Sequence, residues 1–428
     1  MTQTSTGLPA ADVAVVRELA ATIAEIAARP VQQERIREWQ ALNGLRPERP
    51  MAMIDEIPWH ELATPGVLAA DELVMRTTHP FARELETRFL RELYRWNHLR
   101  VDMVIEPHVD IAKVINRPCW GLSIAEATID QGEGNVVQSH AYRDQLANPE
   151  DVDKIRVMEP SLDVEGTAER EAWAHECLDG ILDVRMQGLS GWNGDDLTFA
   201  LWDDIETYRG TEPILIDFMD RPEHLHAIAE RMTQVRIAEL KILEEKGLLG
   251  YGMQRIHCTG AHTTELPKDG FDPARPRAID NWTVGRSQLF VSVGDATFDE
   301  FVPQYYARWY EFFGLGYFGC CDPLHNRIDS VRKIPNVRKV SVSAWAKIAK
   351  AAEGIAGDYV YSRKPNPAMV AMDAWAPEIA EKDFREVLEA TRANRCPVEF
   401  TLKDISTARS DPKRLWAWCE IAERMTRA

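Results

Sequence analysis

The thiols and imidazoles that could bind a metal ion are concentrated in two stretches of the sequence. The first contains His257, Cys258 and His262, and the second contains Cys320 and Cys321. Zinc prefers thiolate and imidazole ligands, and a catalytic zinc site uses three protein ligands and keeps a fourth position open. We therefore predict a zinc site made of Cys258, one of the two later cysteines, and one of the two histidines.

The elements around these residues restrict which of them can act together. The glycines near 250 and the proline at 267 predict a short buried strand from Gly252 to Gly260. Neighbouring residues of a strand point to opposite faces, so His257 and Cys258 can both bind one metal only at a bulge or a strand end. For the same reason Cys320 and Cys321 are alternatives. The other interpretation is that these cysteines are small buried apolar residues.

Polar residues also follow the other predicted strands. The acidic pair Asp55 and Glu56 ends the first of them. The residues predicted to move protons or orient a substrate are Glu106, His108, His140 and Tyr142. The residues predicted to bind the substrate are Arg185, Gln187, Trp192, Arg363, Lys364, Lys403 and Asp404. Trp192 lies in a glycine-rich loop, which can approach a ligand closely.

Strands alternate with helices along most of the chain, and the second half contains five such units in a row. This alternation predicts a parallel sheet, and we favour a closed (β/α)₈ barrel over an open sheet because no dinucleotide fingerprint or P-loop is present. The active site of such a barrel lies at the carboxyl ends of its strands. Residues 1–48 are predicted to form a helical segment packed on a barrel of residues 49–428, with an excursion near 100–150.

Composition excludes several classes of protein. The 428 residues carry a formal net charge of −18, which argues against a nucleic-acid partner. No run of about 18 apolar residues predicts a membrane span, and the first residues do not resemble a secretory signal. The seven cysteines, an odd number, favour reduced thiols and a cytoplasmic location. We expect a small-molecule substrate, and the oligomeric state stays open, a homodimer included.

Several motifs resemble those of the uroporphyrinogen decarboxylase-like superfamily, in particular a poorly characterised branch of it. The motifs are 137–146, Cys258-Thr259-Gly260 with Glu265-Leu266-Pro267, 319–324, 334–343, 364–367 and Leu402-Lys403-Asp404. The resemblance implies a (β/α)₈ barrel with a deep funnel. In the zinc-dependent methyltransferases of the superfamily, a His-x-Cys pair and a distant cysteine hold zinc. The zinc activates a substrate thiol, which takes a methyl group from a corrinoid carried by a partner protein.

This sequence departs from that pattern, because His257 and Cys258 are adjacent and no cysteine lies near Ser362. Cys320 or Cys321 would have to replace the missing ligand. The leading hypothesis is a zinc-dependent methyltransferase or demethylase that acts on a small molecule together with a corrinoid protein. The second is a metal-free decarboxylase or lyase, in which arginines and lysines bind a carboxylate and His140 supplies a proton. The third is a non-catalytic binder within a corrinoid system.

Overall fold

The computed structural model describes residues 7–129, 139–190 and 197–428, without the side chains of Ile129 and Ser139. The α-helices of this part are α1 (Ala10–Ala27), α2 (Pro30–Asn43), α3 (Trp59–Leu62), α4 (Pro80–His98), α5 (Val164–Leu178), α6 (Leu201–Arg209), α7 (Thr211–Asp220), α8 (Pro222–Glu245), α9 (Asp295–Phe301), α10 (Pro303–Tyr310), α11 (Ile328–Val331), α12 (Ile348–Ile355), α13 (Ala368–Ala371), α14 (Pro377–Ala393) and α15 (Lys413–Thr426). Short 3-10 helices lie at Ala70–Leu73, Pro149–Lys154, Ala278–Asp280, Gln288–Ser292 and Leu324–Asn326.

The strands are β1 (Met51–Ile54), β2 (His108–Ala112), β3 (Ile115–Asn116), β4 (Glu126–Ile129), β5 (Ser139–Tyr142), β6 (Ser161–Leu162), β7 (Asp183–Gln187), β8 (Thr198–Phe199), β9 (Arg255–Ile256), β10 (Thr259–Gly260), β11 (Trp282–Gly285), β12 (Leu315–Phe318), β13 (Val337–Val342), β14 (Val360–Arg363) and β15 (Val398–Leu402). Seven of them form one parallel sheet in the order β1-β15-β14-β13-β12-β11-β8. Helices connect consecutive strands from β11 to β15, which confirms the parallel α/β arrangement. The sheet has β1 and β8 at its edges among the described residues, so closure into an eight-stranded barrel stays a prediction.

The sheet has an apolar outer face and a polar inner face. Val340, Tyr361 and Phe400 point outward into the main hydrophobic core with the helices. The alternate positions point inward and are buried, although most are polar: Lys339, Ser341, Ser362, Lys364, Glu399, Thr401 and Lys403. A barrel interior is normally filled with bulky branched side chains. Buried polar side chains therefore mark this interior as a place for a ligand or for charge pairs.

The two N-terminal helices pack on different parts of the molecule. Helix α1 packs against α4 and α5. Helix α2 brings Trp39 to the inner face, where it packs with Met51, Met53 and Val360. The indole Nε1 of Trp39 donates to the Asp102 carbonyl at 2.8 Å. Trp39 thus fills one end of the sheet interior. The predicted boundary at residue 48, between the helical segment and the barrel, stays an interpretation.

Several predicted elements differ from the observed ones. The stretch from Val101 is irregular up to Pro107, and the strand there is β2, which pairs with β7. Strand β11 was not predicted. The segment before β12 forms two helices, α9 and α10, because Pro303 lacks an N–H donor and begins α10. No helix in the described ranges is long and apolar enough to cross a membrane.

Candidate functional site

His257 and Cys258 form the turn of a small hairpin, so the predicted strand from Gly252 to Gly260 is wrong. Strands β9 and β10 pair antiparallel, with Ile256 opposite Thr259. The φ angles of His257 and Cys258 are +42° and +68°. Positive φ at both central residues is what a type I′ turn requires, and Asn-Gly is the usual sequence there. The hairpin is held against α2, because a Cβ on Gly260 would lie 2.5 Å from the Trp39 ring.

Two other loops at this end of the sheet also contain non-glycine residues in the left-handed region. Glu56, after β1, has φ +48°, and Asp404, after β15, has φ +56°. A residue held in a sparsely populated backbone region costs about 1–3 kcal/mol and persists only where its surroundings enforce it. With the two hairpin residues, four strained positions occur in three loops that contact one another.

Side chains from these loops and from the end of β12 form one contact group, which we call the floor cluster. Its members are Glu56, Cys258, Cys320, Cys321, Lys403 and Asp404. The Cys258 thiol donates to Glu56 Oε1 at 3.4 Å, and the Asp404 amide donates to Glu56 Oε2 at 2.9 Å. Lys403 Nζ lies 3.6 Å from Glu56 Oε1 and 3.3 Å from Asp404 Oδ1. The ammonium therefore bridges two of the strained loops.

The two later cysteines complete the floor cluster. The Sγ atoms of Cys320 and Cys321 are 3.7 Å apart, and Lys403 Nζ is 3.7 Å from Cys320 Sγ. Cys321 Sγ lies 3.8 Å from Asp404 Oδ2. Although adjacent in sequence, both thiols belong to the cluster, because they follow β12 after the strand has ended.

Burial and charge set the protonation of the floor cluster. Burial raises the pKa of Cys258, while the hydrogen bond with Cys321, together with burial, raises the pKa of Cys320. The same hydrogen bond lowers the pKa of Cys321. Burial raises the pKa of Glu56. Burial opposes the charge of Lys403, but the neighbouring thiols and carboxylates outweigh it and raise the pKa, so Lys403 is a cation at neutral pH.

A cavity of about 1200 Å³ opens above the floor cluster at the carboxyl ends of the strands. Its apolar walls include Trp39, Met53, Ile57, Trp59, Met103 and Ile105, and six arginines line it: Arg88, Arg91, Arg95, Arg117, Arg255 and Arg286. Arg95 and Arg255 both pair with Asp55, whose pKa is lowered because these cations outweigh the effect of burial. In a chain of strongly negative net charge, such a cationic cavity favours a small anionic ligand.

The donor types of the floor cluster suit zinc, but their arrangement does not. No group of three or more His, Cys, Asp and Glu residues in the described part of the chain is placed to hold a metal ion. The positively charged Lys403 ammonium lies beside Cys320 and Glu56, in the space that a zinc ion bound by these two residues would need. His262, one candidate third ligand, is buried elsewhere. The residues as placed do not form a tetrahedral zinc site.

The structure separates the predicted site residues into groups. Six of them line the cavity: His257, Cys258, Cys320, Cys321, Lys403 and Asp404. Burial lowers the pKa of His262, and the charges of Glu106 and His108 also act on it, which places these three in one neighbourhood. His108 Nε2 lies 3.3 Å from Arg185 Nη1. None of these four residues lines the cavity.

The remaining predicted residues make structural contacts. Gln187 donates to Asp110 and to the Tyr251 carbonyl, and Arg363 binds Asp383 and the Ser343 carbonyl. His140 bonds to Glu126 in the β4–β5 hairpin, and Tyr142 stacks on His140. Trp192 lies outside the described residues. Roles for all of these residues stay predictions.

Two acidic groups were not predicted as functional. Glu56 is the acceptor that joins the floor cluster, and its only sequence signal is its place at the end of β1. Asp203, at the start of α6, is half-buried, and its desolvation raises its pKa to about 7. Its neighbours are Arg286, on the cavity wall, and Asp322, which accepts from the Cys320 amide at 3.1 Å. No local pattern marks Asp203, because its environment comes from strands distant in sequence.

Comparisons with known proteins leave the family open. No protein-family model matches the sequence, and a search of curated proteins finds no match. Among solved structures, a methyltransferase from Methanosarcina mazei is similar, with 11% identity over 92% of this chain and 98% of that chain and a TM-score of 0.47. A likeness at this level does not indicate a function, so the geometry of the site is the basis for the function proposed below.

Proposed function

We propose that the protein is an enzyme that transfers a methyl group to or from a thiol or hydroxyl group of a small molecule bound above the floor cluster. The observation that carries the proposal is the placement of Glu56, whose Oε1 faces both the Cys258 thiol and the Lys403 ammonium. Glu56 can take a proton from the substrate, and Lys403 can stabilise the anion that remains. The choice of methyl transfer rests on the motif resemblance and on the cluster of thiols.

In this proposal the atoms balance without a further reactant. The X–H bond of the acceptor breaks, and its proton goes to the Glu56 carboxylate. The acceptor lone pair forms the new X–CH₃ bond, while the bonding electrons of the old methyl bond stay on the donor. The proposal includes a corrinoid protein as the methyl donor. No step uses zinc, since the residues as placed do not form a site for it.

The test uses purified protein with free methylcobalamin and a panel of small thiols and phenols. We expect methyl transfer, measured by the absorbance change of the cobalamin, to fall about 10²–10⁴-fold in Glu56→Gln, the range for loss of a general base. Cys119→Ser is the matched control, because Cys119 is exposed and lies outside the cavity. Full activity in Glu56→Gln, or no transfer by the wild-type protein to any acceptor, contradicts the proposal.

A second function is favoured by a specific observation, two buried cations: Lys403, which lines the cavity, and Lys364, which follows β14. Lys403 is 4% exposed and Lys364 is 5% exposed, so both can bind a carboxylate in a place that excludes water. A metal-free decarboxylase or lyase would use them to hold an acidic substrate. Release of CO₂ from a carboxylic acid by metal-free protein, with no methyl transfer, would support this function in place of the first.

A further inference from the structure

Three lysines lie on the inner face of the sheet, and within the described residues two of them pair with a carboxylate. Lys339 Nζ pairs with Glu399 at 2.7 Å, and Lys403 Nζ pairs with Glu56 and Asp404. Lys364 Nζ is buried and has no hydrogen-bond partner within the described ranges. The ammonium lies over the Tyr317 ring, whose centroid is 5.2 Å from Nζ. A buried ammonium with three unused donors is costly unless an anion or another acceptor reaches it.

His257 presents a second unused donor to the same space. Its ring lies 4.9 Å from the Tyr317 ring, on which Lys364 also sits, and its Nε2 is buried without a partner in the described part of the chain. His257 also lines the cavity, so this space lies next to it. Burial and the nearby charges of Lys364, Lys403, Arg286 and Arg255 hold the pKa of His257 well below its usual value. The imidazole is therefore neutral and can donate one N–H.

The carboxylates near this space are already engaged, apart from one oxygen of Glu399. Asp55 pairs with Arg255, and Glu56 and Asp404 pair with Lys403. Glu399 Oε2 accepts from Lys339 and Thr259, while its Oε1 has no partner among the described residues. Glu399 and Tyr317 raise the pKa of Lys364 against the effect of burial, so Lys364 keeps its charge at neutral pH. The excess of positive charge around His257 excludes a cation and favours an anion.

We propose that Lys364 and His257 form a subsite for a carboxylate or similar small oxyanion of the substrate, beside Tyr317 and next to the part of the cavity wall that His257 forms. One oxygen accepts from Lys364 Nζ and the other from the His257 imidazole, in the way that charge-assisted hydrogen bonds hold planar anions. A water molecule could satisfy both donors but would leave the charge of Lys364 uncompensated. The inference deepens the proposed function, on which it rests for treating the bound molecule as a substrate.

The first test is crystallographic and uses bromide as the probe. Crystals of the full chain soaked in sodium bromide are expected to show an anomalous peak within about 4 Å of Lys364 Nζ, the reach of an ion contact. Lys364→Met is expected to lose that peak, and the control Lys350→Met, at an exposed lysine on α12, to keep it. Absence of the peak in wild-type crystals overturns the proposal, as does its persistence in Lys364→Met.

The second test separates binding from a structural role. Without added anions, Lys364→Met is expected to melt above the wild type, because it removes a buried charge that has no partner. Acetate, compared with acetamide, is expected to raise the melting temperature of the wild type but not of Lys364→Met. A lower melting temperature for Lys364→Met with an unchanged acetate response overturns the proposal. If the variant does not fold, the presence or absence of the bromide peak in wild-type crystals decides whether the subsite exists. Neither readout needs turnover, so a protein that binds bromide here but transfers no methyl group contradicts the proposed function and retains the subsite.

Discussion

The interior of the sheet has two levels that differ in how their charges are satisfied. At the lower level, Lys339 Nζ binds Glu399, the Gly260 carbonyl and Thr259 within 3.4 Å, and its side chain is fully buried. At the upper level, the floor cluster contains strained residues, the partly exposed thiol of Cys321 and exposed carboxylates, and beside it lies Lys364, which has no hydrogen-bond partner among the described residues. Both levels contain a lysine paired with a glutamate. The difference indicates that the lower level stabilises the fold and that the upper level is kept for a ligand.

Breaking the lower level should give the largest loss of stability. Lys339→Met leaves the Glu399 carboxylate buried without its cation, and we expect the free energy of unfolding to fall by about 3–5 kcal/mol. The double variant Lys339→Met/Glu399→Leu should recover most of this loss, because a buried pair replaced by apolar residues is often neutral. Urea denaturation measures both. Equal stability of Lys339→Met and the wild type would mean that the lower level is not structural.

The pH dependence of stability should report the unusual carboxyl groups near the upper level. The pKa of Asp203 is raised from 3.8 to about 7 in the folded state, mainly by burial. The folded state therefore holds this proton more tightly than the unfolded chain. Its contribution is fully present below about pH 3.8 and is lost as the pH rises through about 7, a change on the order of 2–4 kcal/mol.

Asp203→Asn should remove this pH dependence. We expect its free energy of unfolding to fall less than that of the wild type between pH 4 and pH 8, as measured by urea titrations at each pH. Asp329→Asn, at a fully exposed side chain, is the control and should follow the wild-type profile. Parallel profiles for Asp203→Asn and the wild type would show that Asp203 ionises normally.

The packing of the hairpin on Trp39 links the two levels and can be tested separately. Gly260→Ala places a Cβ 2.5 Å from the indole, and we expect a loss of about 1–3 kcal/mol from overpacking. Gly294→Ala is the control, because no atom lies within 4 Å of its added Cβ. Thermal unfolding measures both variants. Tolerance of Gly260→Ala would mean that the hairpin can move away from α2 and that the position of Cys258 is not fixed by this contact.

Relief of backbone strain in the hairpin should have the smallest effect on stability and a large one on activity. The double variant His257→Asn/Cys258→Gly puts the preferred residues into the turn, and we expect a gain of about 1 kcal/mol. Methyl transfer should be lost, since the variant removes the thiol and the imidazole. Ala356→Gly relieves a left-handed residue at the end of α12 and should stabilise without loss of activity. If the double variant is less stable than the wild type, side-chain contacts outweigh the strain.

Periodicity predicted much of the framework. Alternation of strands and helices gave the order of β12 to β15. Strand β11, with the residues Trp282-Thr283-Val284-Gly285, was not predicted, although its residues alternate between apolar and polar up to Val284. Polar residues after predicted strands identified Cys258, Cys320, Cys321 and Lys403 as cavity residues. The same rule also selected Arg363 and Gln187, which face other elements. Sequence position alone does not say whether a residue after a strand faces the cavity or the helices.

The sequence by itself determined which elements form and which chemical groups they carry, because apolar period and turn residues are local properties. Only the tertiary structure decided which groups meet. The hairpin at His257 and Cys258 packs its Gly260 on Trp39, 221 positions earlier in the chain. Lys339 and Lys364 each follow an arginine, yet among the described residues only Lys339 is paired, because its partner Glu399 comes from β15, two strands away in the sheet. That pairing depends on sheet order and register, which no single segment specifies.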